Sequence, residues 1–169
     1  RYDIEKGMEA VLERFDDVER EFESLFSRRY GPVEAIRCDD AEIILVTSGT
    51  VTSTARLLLE DLRQRGEKVG VLKMKMFRPF PASAVRRVLQ SVKKAAVIDR
   101  NVSFGASGIF AQEIKAALCN STLHPFIFSY IAGLGGRDIT TAVLENIYWK
   151  RKNSEHPPEE SVWIGLQEV

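Results

Sequence analysis

An α/β fold on a largely parallel sheet is the class this chain predicts, and three observations predict it. Short, continuously apolar runs such as Ile43-Ile44-Leu45-Val46 and Ala95-Ala96-Val97-Ile98 read as strands covered on both faces. Amphipathic helical patterns alternate with them in units of roughly 25 to 31 residues, the length of a βα repeat. Three segments leave an apolar strand through a glycine-bearing turn: Thr47-Ser48-Gly49-Thr50, Asp99 to Gly108, and Ala132 to Asp138. In a parallel sheet such exits share one rim, where helix N-termini and free N–H groups gather and ligands or partner domains dock.

The elements follow in order. Ile4, Met8, Val11, Phe15, Val18, Phe22 and Leu25 step by alternating fours and threes, a heptad stripe that predicts a helix from Asp3 to Arg29. At 1.5 Å per residue it runs roughly 40 Å, so it either packs along this domain's own flank or forms an arm against another domain or subunit. Gly31-Pro32 ends it. Val33 to Cys38 is a short alternating strand and Glu42 to Val46 a buried one. A helix spans Val51 to Arg65, with Val51, Ala55, Leu58, Leu59 and Leu62 inward and Gly66 as its stop. Val69 to Met76 is the next strand, with Leu72, Met74 and Met76 on one face and Lys73 and Lys75 on the other.

Pro81 starts a helix carrying Val85, Val88, Leu89 and Val92. Ala95 to Ile98 is a third buried strand, and its loop leads to a helix with Ile109, Phe110, Ile114, Ala117 and Leu118 inward. Pro125 introduces the strand Phe126 to Ile131. Asp138 is read as the N-cap of a last helix, Ile139 to Lys150. After His156-Pro157-Pro158 the tail is extended and offers Val162-Trp163-Ile164 for pairing.

Composition narrows the function. With 169 residues, 44% hydrophobic and 28% charged, the chain reads as one ordinary globular domain with a helical arm, able to bury a core unaided. Twenty-four basic residues balance 24 acidic ones, so no global field draws nucleic acid or anionic lipid. No run approaches the ~20 apolar residues of a membrane span, and no signal peptide is expected. A cytoplasmic protein is expected. The chain opens on Arg1 directly into a helix, which suggests that residues upstream have been removed.

Cys38 and Cys119 lie in different elements without C-x-x-C spacing, which predicts two reduced, partly buried thiols and argues against an iron–sulfur cluster. His124 and His156 stand alone, so structural or solvent-facing roles are expected of them rather than metal ligation.

The rim residues carry the functional question. Ser48, Gly49 and Thr50 open a helix whose N–H groups either hold an anion or simply form a strand–helix junction; no nucleotide fingerprint is present. Gly133, Gly135 and Gly136 permit positive φ, Arg137 adds a bidentate fork and Asp138 a cap; the turn is either structural or shaped for a neighbouring domain. Asp99, Arg100, Asn101, Ser103 and Gly105 stand at a strand's C-terminal end, with Arg100 free to pair with Asp99, Asp138 or a partner chain. No His, Cys or paired carboxylate stands near them in sequence, so they make a weak acid/base set, and a catalytic triad is excluded for want of a nucleophile–His partner. Arg78-Pro79-Phe80-Pro81 fixes a strand-to-helix path, and Arg78 serves an interface or a buried salt bridge.

Taken together, Val71-Leu72-Lys73, Arg78-Pro79-Phe80-Pro81, Val97-Ile98-Asp99-Arg100-Asn101-Val102-Ser103-Phe104-Gly105 and Gly133-Leu134-Gly135-Gly136-Arg137-Asp138-Ile139-Thr140 resemble the α subunit of the pyruvate:ferredoxin oxidoreductases. More broadly they are similar to the 2-oxoacid:ferredoxin oxidoreductases. The resemblance covers that subunit's second domain, from about Asp40 to Asn146. The opening helix, with Phe22, Phe26 and Arg28-Arg29-Tyr30-Gly31, is similar to the helix joining it to the preceding domain. The "RDIT" and "DRNVSFG" wordings fit pyruvate-type members better than 2-oxoglutarate-type ones.

This resemblance implies a transketolase C-terminal-like fold: a three-layer α/β/α sandwich on a five-stranded sheet whose first strand is antiparallel. It divides the chain into an arm (1–32), this domain (33–150) and an extended tail (151–169). The whole enzyme it implies decarboxylates a 2-oxoacid on thiamine diphosphate with Mg²⁺, passes electrons through iron–sulfur clusters to ferredoxin, and transfers the acyl group to coenzyme A. Those cofactors are expected in other domains and in β, γ and δ subunits, and a pyrimidine-type thiamine domain upstream of Arg1. None is expected on this chain, and no catalytic residue of the family maps onto it. Two roles stay open: a domain that organises domain and subunit packing, or a module that takes an anion or coenzyme A moiety on its glycine-rich edge.

Overall fold

The structure, a computed structural model, describes residues 1–122 and 125–166. Its sheet has six strands in the order β1-β3-β2-β4-β5-β6. These are β1 (Val33–Ile36), β2 (Ile43–Ser48), β3 (Val69–Met74), β4 (Lys94–Asp99), β5 (Phe126–Ile131) and β6 (Val162–Trp163). All neighbours are parallel except β1 with β3, where Val33 faces Met74 and Ile36 faces Val71. The mostly parallel α/β sheet with an antiparallel first strand is therefore present. Its strand count is six rather than five, because the tail lays Val162 beside Tyr130 and Trp163 beside Ile131.

Two helical layers cover the sheet, because the central strands are apolar on both faces. On one side α2 (Val51–Gln64) and α5 (Thr141–Lys152) set Leu58, Leu59, Leu62, Leu144, Ile147 and Tyr148 against Leu45, Val71, Ile98 and Phe128. On the other, α3 (Ala82–Leu89) and α4 (Ile109–Leu118) set Val85, Leu89, Ile114 and Leu118 against Ile44, Val46, Leu72 and Val97. Burying side chains of this size stabilises by about 1.5–3 kcal/mol each, which is what holds the sandwich closed.

The first helix, α1 (Tyr2–Phe26), stops earlier than its heptad stripe promised. Ser27 turns left-handed at φ 53° and returns its N–H to Glu23 O, a cap that ends the helix before Arg29. The buried Glu19 carboxylate ties the helix down by accepting the amides of Tyr30 at 3.1 Å and Gly31 at 2.7 Å. Beyond that root the stripe is uncovered: Ile4, Met8, Val11, Val18 and Leu25 are exposed. Packing along the domain's own flank is thus not what α1 does over most of its length.

Two further expectations change. Helix α5 is capped by Thr140, whose Oγ1 accepts the Val143 N–H at 3.3 Å, while Asp138 stands outside the helix and exposed. The cysteines are unlike each other: Cys38 is buried and Cys119 exposed, both as free thiols. His124 lies outside the described residues.

Candidate functional site

The chain order puts β2 and β4 side by side while β2 connects to β3 on its other flank. That reversal is a topological switch point, and in open α/β sheets the crevice beyond the carboxyl ends of such strands is the usual address of a site. The three glycine turns all meet there, since β2, β4 and β5 are parallel and end on the same rim. Thr50, Val51 and Thr54 from the start of α2, Arg100 from the β4 exit, and Arg137, Asp138 and Ile139 from the β5 exit line one cleft of about 140 Å³. Arg100 Nη1 reaches Thr50 Oγ1 at 3.4 Å.

The β4 exit is built from its buried end outward. Asp99 is fully buried, and its two carboxylate oxygens accept the amides of Phe110 at 3.0 Å and Ala111 at 3.1 Å. Asn101 Oδ1 takes the Ile109 amide at 3.1 Å. The first turn of α4 is thereby capped from within its own loop, and no N–H remains there for an anion. Burial pushes the Asp99 carboxyl up to about 6, and the two backbone N–H groups only partly offset that. Gly108 is required by this arrangement: a Cβ there would lie 2.2 Å from Asp99 Oδ2.

These contacts settle several roles that the residue types left open. Asp99 does not pair with Arg100; it faces α4. Arg100 and Arg137 make no ion pair among the described residues, with Asp138 or any other carboxylate. Ser103 closes the loop through its own backbone, donating to Ser107 O at 2.9 Å and accepting from Ala106 at 2.9 Å. Gly105 takes φ 78° at the tip, and Phe104 beside it is 89% exposed.

At the β5 exit Gly133, Gly135 and Gly136 adopt φ of 72°, 67° and 84°, so the positive φ read from their crowding is realised. A Cβ on Gly133 would also meet Ile139 Cδ1 at 2.9 Å. Gly49 at φ 58° turns the chain from β2, with Ser48 half-buried and Gly49 and Thr50 exposed. Arg78 makes its ion pair with Glu113, but half exposed rather than buried. Beyond those sequence candidates the rim contains Thr54, which its position one turn into α2 could have signalled, and Phe104, which reads in sequence as one more apolar loop residue.

Among the described residues no three His, Cys, Asp or Glu side chains converge as a metal site. The buried Cys38 thiol is pushed up to about 11 by desolvation, the opposite of a reactive thiolate. Among the described residues no helix is long and apolar enough to cross a membrane.

A mostly parallel α/β sandwich with Arg100 and Arg137 on the carboxyl rim of its sheet defines the fold class. The particular family is shown by comparison. The model of pyruvate:ferredoxin oxidoreductase core domain II matches residues 41–144, and the chain belongs to that family.

Pyruvate synthase subunit PorA of Methanothermobacter thermautotrophicus is 42% identical over 168 residues, 99% of this chain and 42% of that protein. The subunit of the same name from Thermotoga maritima is 39% identical over 163 residues, covering 96% of this chain and 42% of that protein. Ketoisovalerate oxidoreductase subunit VorA of Pyrococcus abyssi is 40% identical over 148 residues, 87% of this chain and 38% of that protein. This chain therefore spans less than half the length of these relatives. Among solved structures, 2-oxoglutarate:ferredoxin oxidoreductase from Magnetococcus marinus shares the fold, with a TM-score of 0.53 at 17% identity over 85% of this chain and 23% of that one.

Proposed function

We propose that this chain is the organising domain of a 2-oxoacid:ferredoxin oxidoreductase α subunit, holding catalytic domains and companion subunits in register without a catalytic residue of its own. The observation that carries this reading is the chemistry of the rim. At the β4 exit the carboxylate of Asp99 and the amide of Asn101 are spent inward on capping α4, while Arg100, Arg137 and Asp138 line the cleft without ion pairs among the described residues. Such a surface recognises; it does not break bonds. The uncovered stripe of α1 supplies a second docking face of the kind an arm between domains requires.

The complete enzyme that the resemblance implies uses thiamine diphosphate with Mg²⁺ and iron–sulfur clusters. The described residues fit neither. Mg²⁺ with a diphosphate wants converging oxygen donors, a cluster wants several thiolates, and here one cysteine is buried and the other sits at the end of α4. The chemistry, the coenzyme A acceptor and the contact with ferredoxin belong in this reading to other domains and subunits. Pyruvate is the substrate that the loop wordings suggest, and this domain is not where a 2-oxoacid is chosen. In keeping with that, relatives named for pyruvate and for ketoisovalerate match it at 42% and 40% identity.

Calorimetry tests the proposal. The isolated chain is expected to show no thiamine diphosphate binding in the micromolar range and no pyruvate decarboxylation; either activity would end it. A second reading has one observation in its favour, the meeting of Arg100, Arg137 and the α2 N-terminus on one cleft: a small anion binds there. In that case Arg137→Ala weakens phosphate binding and leaves assembly untouched, whereas in the organising role the same change loosens assembly.

A further inference from the structure

The Asp99–Gly108 loop spends backbone order on presenting one aromatic ring to water. Its polar groups are satisfied internally: Asp99 and Asn101 cap α4, and Ser103 bonds Ser107 and Ala106 across the turn. Gly105, at φ 78° with open space around it, turns the tip, and Phe104 stands 89% exposed there. The fold obtains no packing from that ring. Arg100, four residues earlier in the same loop, and Arg137 in the adjoining turn share the neighbouring cleft without an ion pair among the described residues; Asp138, the carboxylate on that cleft, pairs with neither.

The cleft is too small for a nucleotide-sized ligand, at about 140 Å³ against the ~300–1,000 Å³ of ordinary small-molecule sites. An exposed aromatic on the same rim as two unpaired arginines is instead the composition of a protein hot spot, where a ring fills a pocket and guanidinium groups meet carboxylates at its edge.

Resting on the organising role proposed above, we infer that Phe104 is the anchor by which this rim seats in an apolar pocket edged by carboxylates on a companion subunit. A separable subunit fits this surface better than a domain of the same polypeptide. Permanent interfaces resemble a core cut in half, as the long apolar stripe of α1 does, whereas the rim is polar with a single anchor, the pattern of interfaces that form and part. Because the loop's backbone is held by its own hydrogen bonds, docking has only the ring itself to order.

The test uses the complete multi-subunit enzyme, diluted and followed by mass photometry. Phe104→Ala is expected to weaken association of this subunit by about tenfold or more, the usual weight of a hot-spot aromatic, with the subunit's melting temperature unchanged because the residue, 89% exposed, buries little in its own chain. The pair Arg100→Glu with Arg137→Glu is expected to weaken association and to invert its salt dependence, because added salt then screens a repulsion. Association unchanged in all variants would overturn both the anchor and the docking rim. Weakening by the arginine reversals alone would overturn the anchor and leave the organising role standing. A fall in subunit melting temperature on Phe104→Ala would place the ring in contact with its own polypeptide and overturn the inference. Protection of the rim by inorganic phosphate, with assembly unaffected by any variant, would replace it by the small-anion reading.

Discussion

Replacing Gly108 with alanine is the sharpest probe of how the rim is built. Gly108 has ordinary extended angles, φ −59° and ψ 140°, so alanine meets no backbone penalty there. The cost is steric and local: the new Cβ would lie 2.2 Å from Asp99 Oδ2, 2.6 Å from its Cγ and 2.7 Å from its Cβ. Asp99 has no room to retreat, being fully buried at the end of β4, where its neighbours are Ile131 and the first turn of α4. Its carboxylate must therefore leave the amides of Phe110 and Ala111. Losing a cap costs about 1 kcal/mol, and a buried polar group left unmatched about 1–3 kcal/mol more, so about 3 kcal/mol in all is expected. For a domain of this size that lowers the melting temperature by about 6–12 °C. Urea unfolding followed by circular dichroism measures the loss directly, with wild type and variant compared at one pH. A variant within 1 kcal/mol of wild type would show that the Asp99 cap is not what fixes the loop, and the account of the rim would fail with it.

Other expectations follow from the same contacts. Asp99 has a folded pKa of about 6, above its unfolded value, so the folded state holds the extra proton and stability falls as pH rises from about 4 to about 6, then levels off. Relative to Asp99→Asn, the wild type should therefore gain stability between pH 7 and pH 4.5, and parallel unfolding midpoints would refute the shift. Thr140→Ala removes the α5 cap and should cost about 1 kcal/mol, whereas Asp138→Ala should cost less than half of that in the same denaturation assay. Glu19→Ala should free α1 from its root by releasing the Tyr30 and Gly31 amides; hydrogen exchange would then show residues 2–26 losing protection while the sheet keeps its own.

What the residues disclosed and what they hid divide along physical lines. Covered strands and amphipathic helices are written as local periodicity, so Ile43–Ser48, Val51–Gln64 and Phe126–Ile131 were legible to within a few residues. Glycines forced to positive φ were legible for the same reason, since the requirement is carried by one residue. The cap of α5 was not: Asp138 and Thr140 are both competent, and only the path after Gly136 decides which side chain reaches an open amide. Nor was the tail's promotion to a sixth strand certain until β5 presented a free edge.

The chain on its own determined an α/β repeat, a long heptad-patterned helix and a set of glycine-bearing strand exits, because those properties reside in spacing and residue type. Only the tertiary structure decided which way the rim side chains face. Asp99 and Asn101 neighbour Arg100 in sequence, yet the carboxylate and amide turn inward because four unpaired N–H groups open each helix and α4 begins within their reach. The arginines and Phe104 are left outside. That partition is a matter of geometry between segments, and no reading of neighbours along the chain contains it.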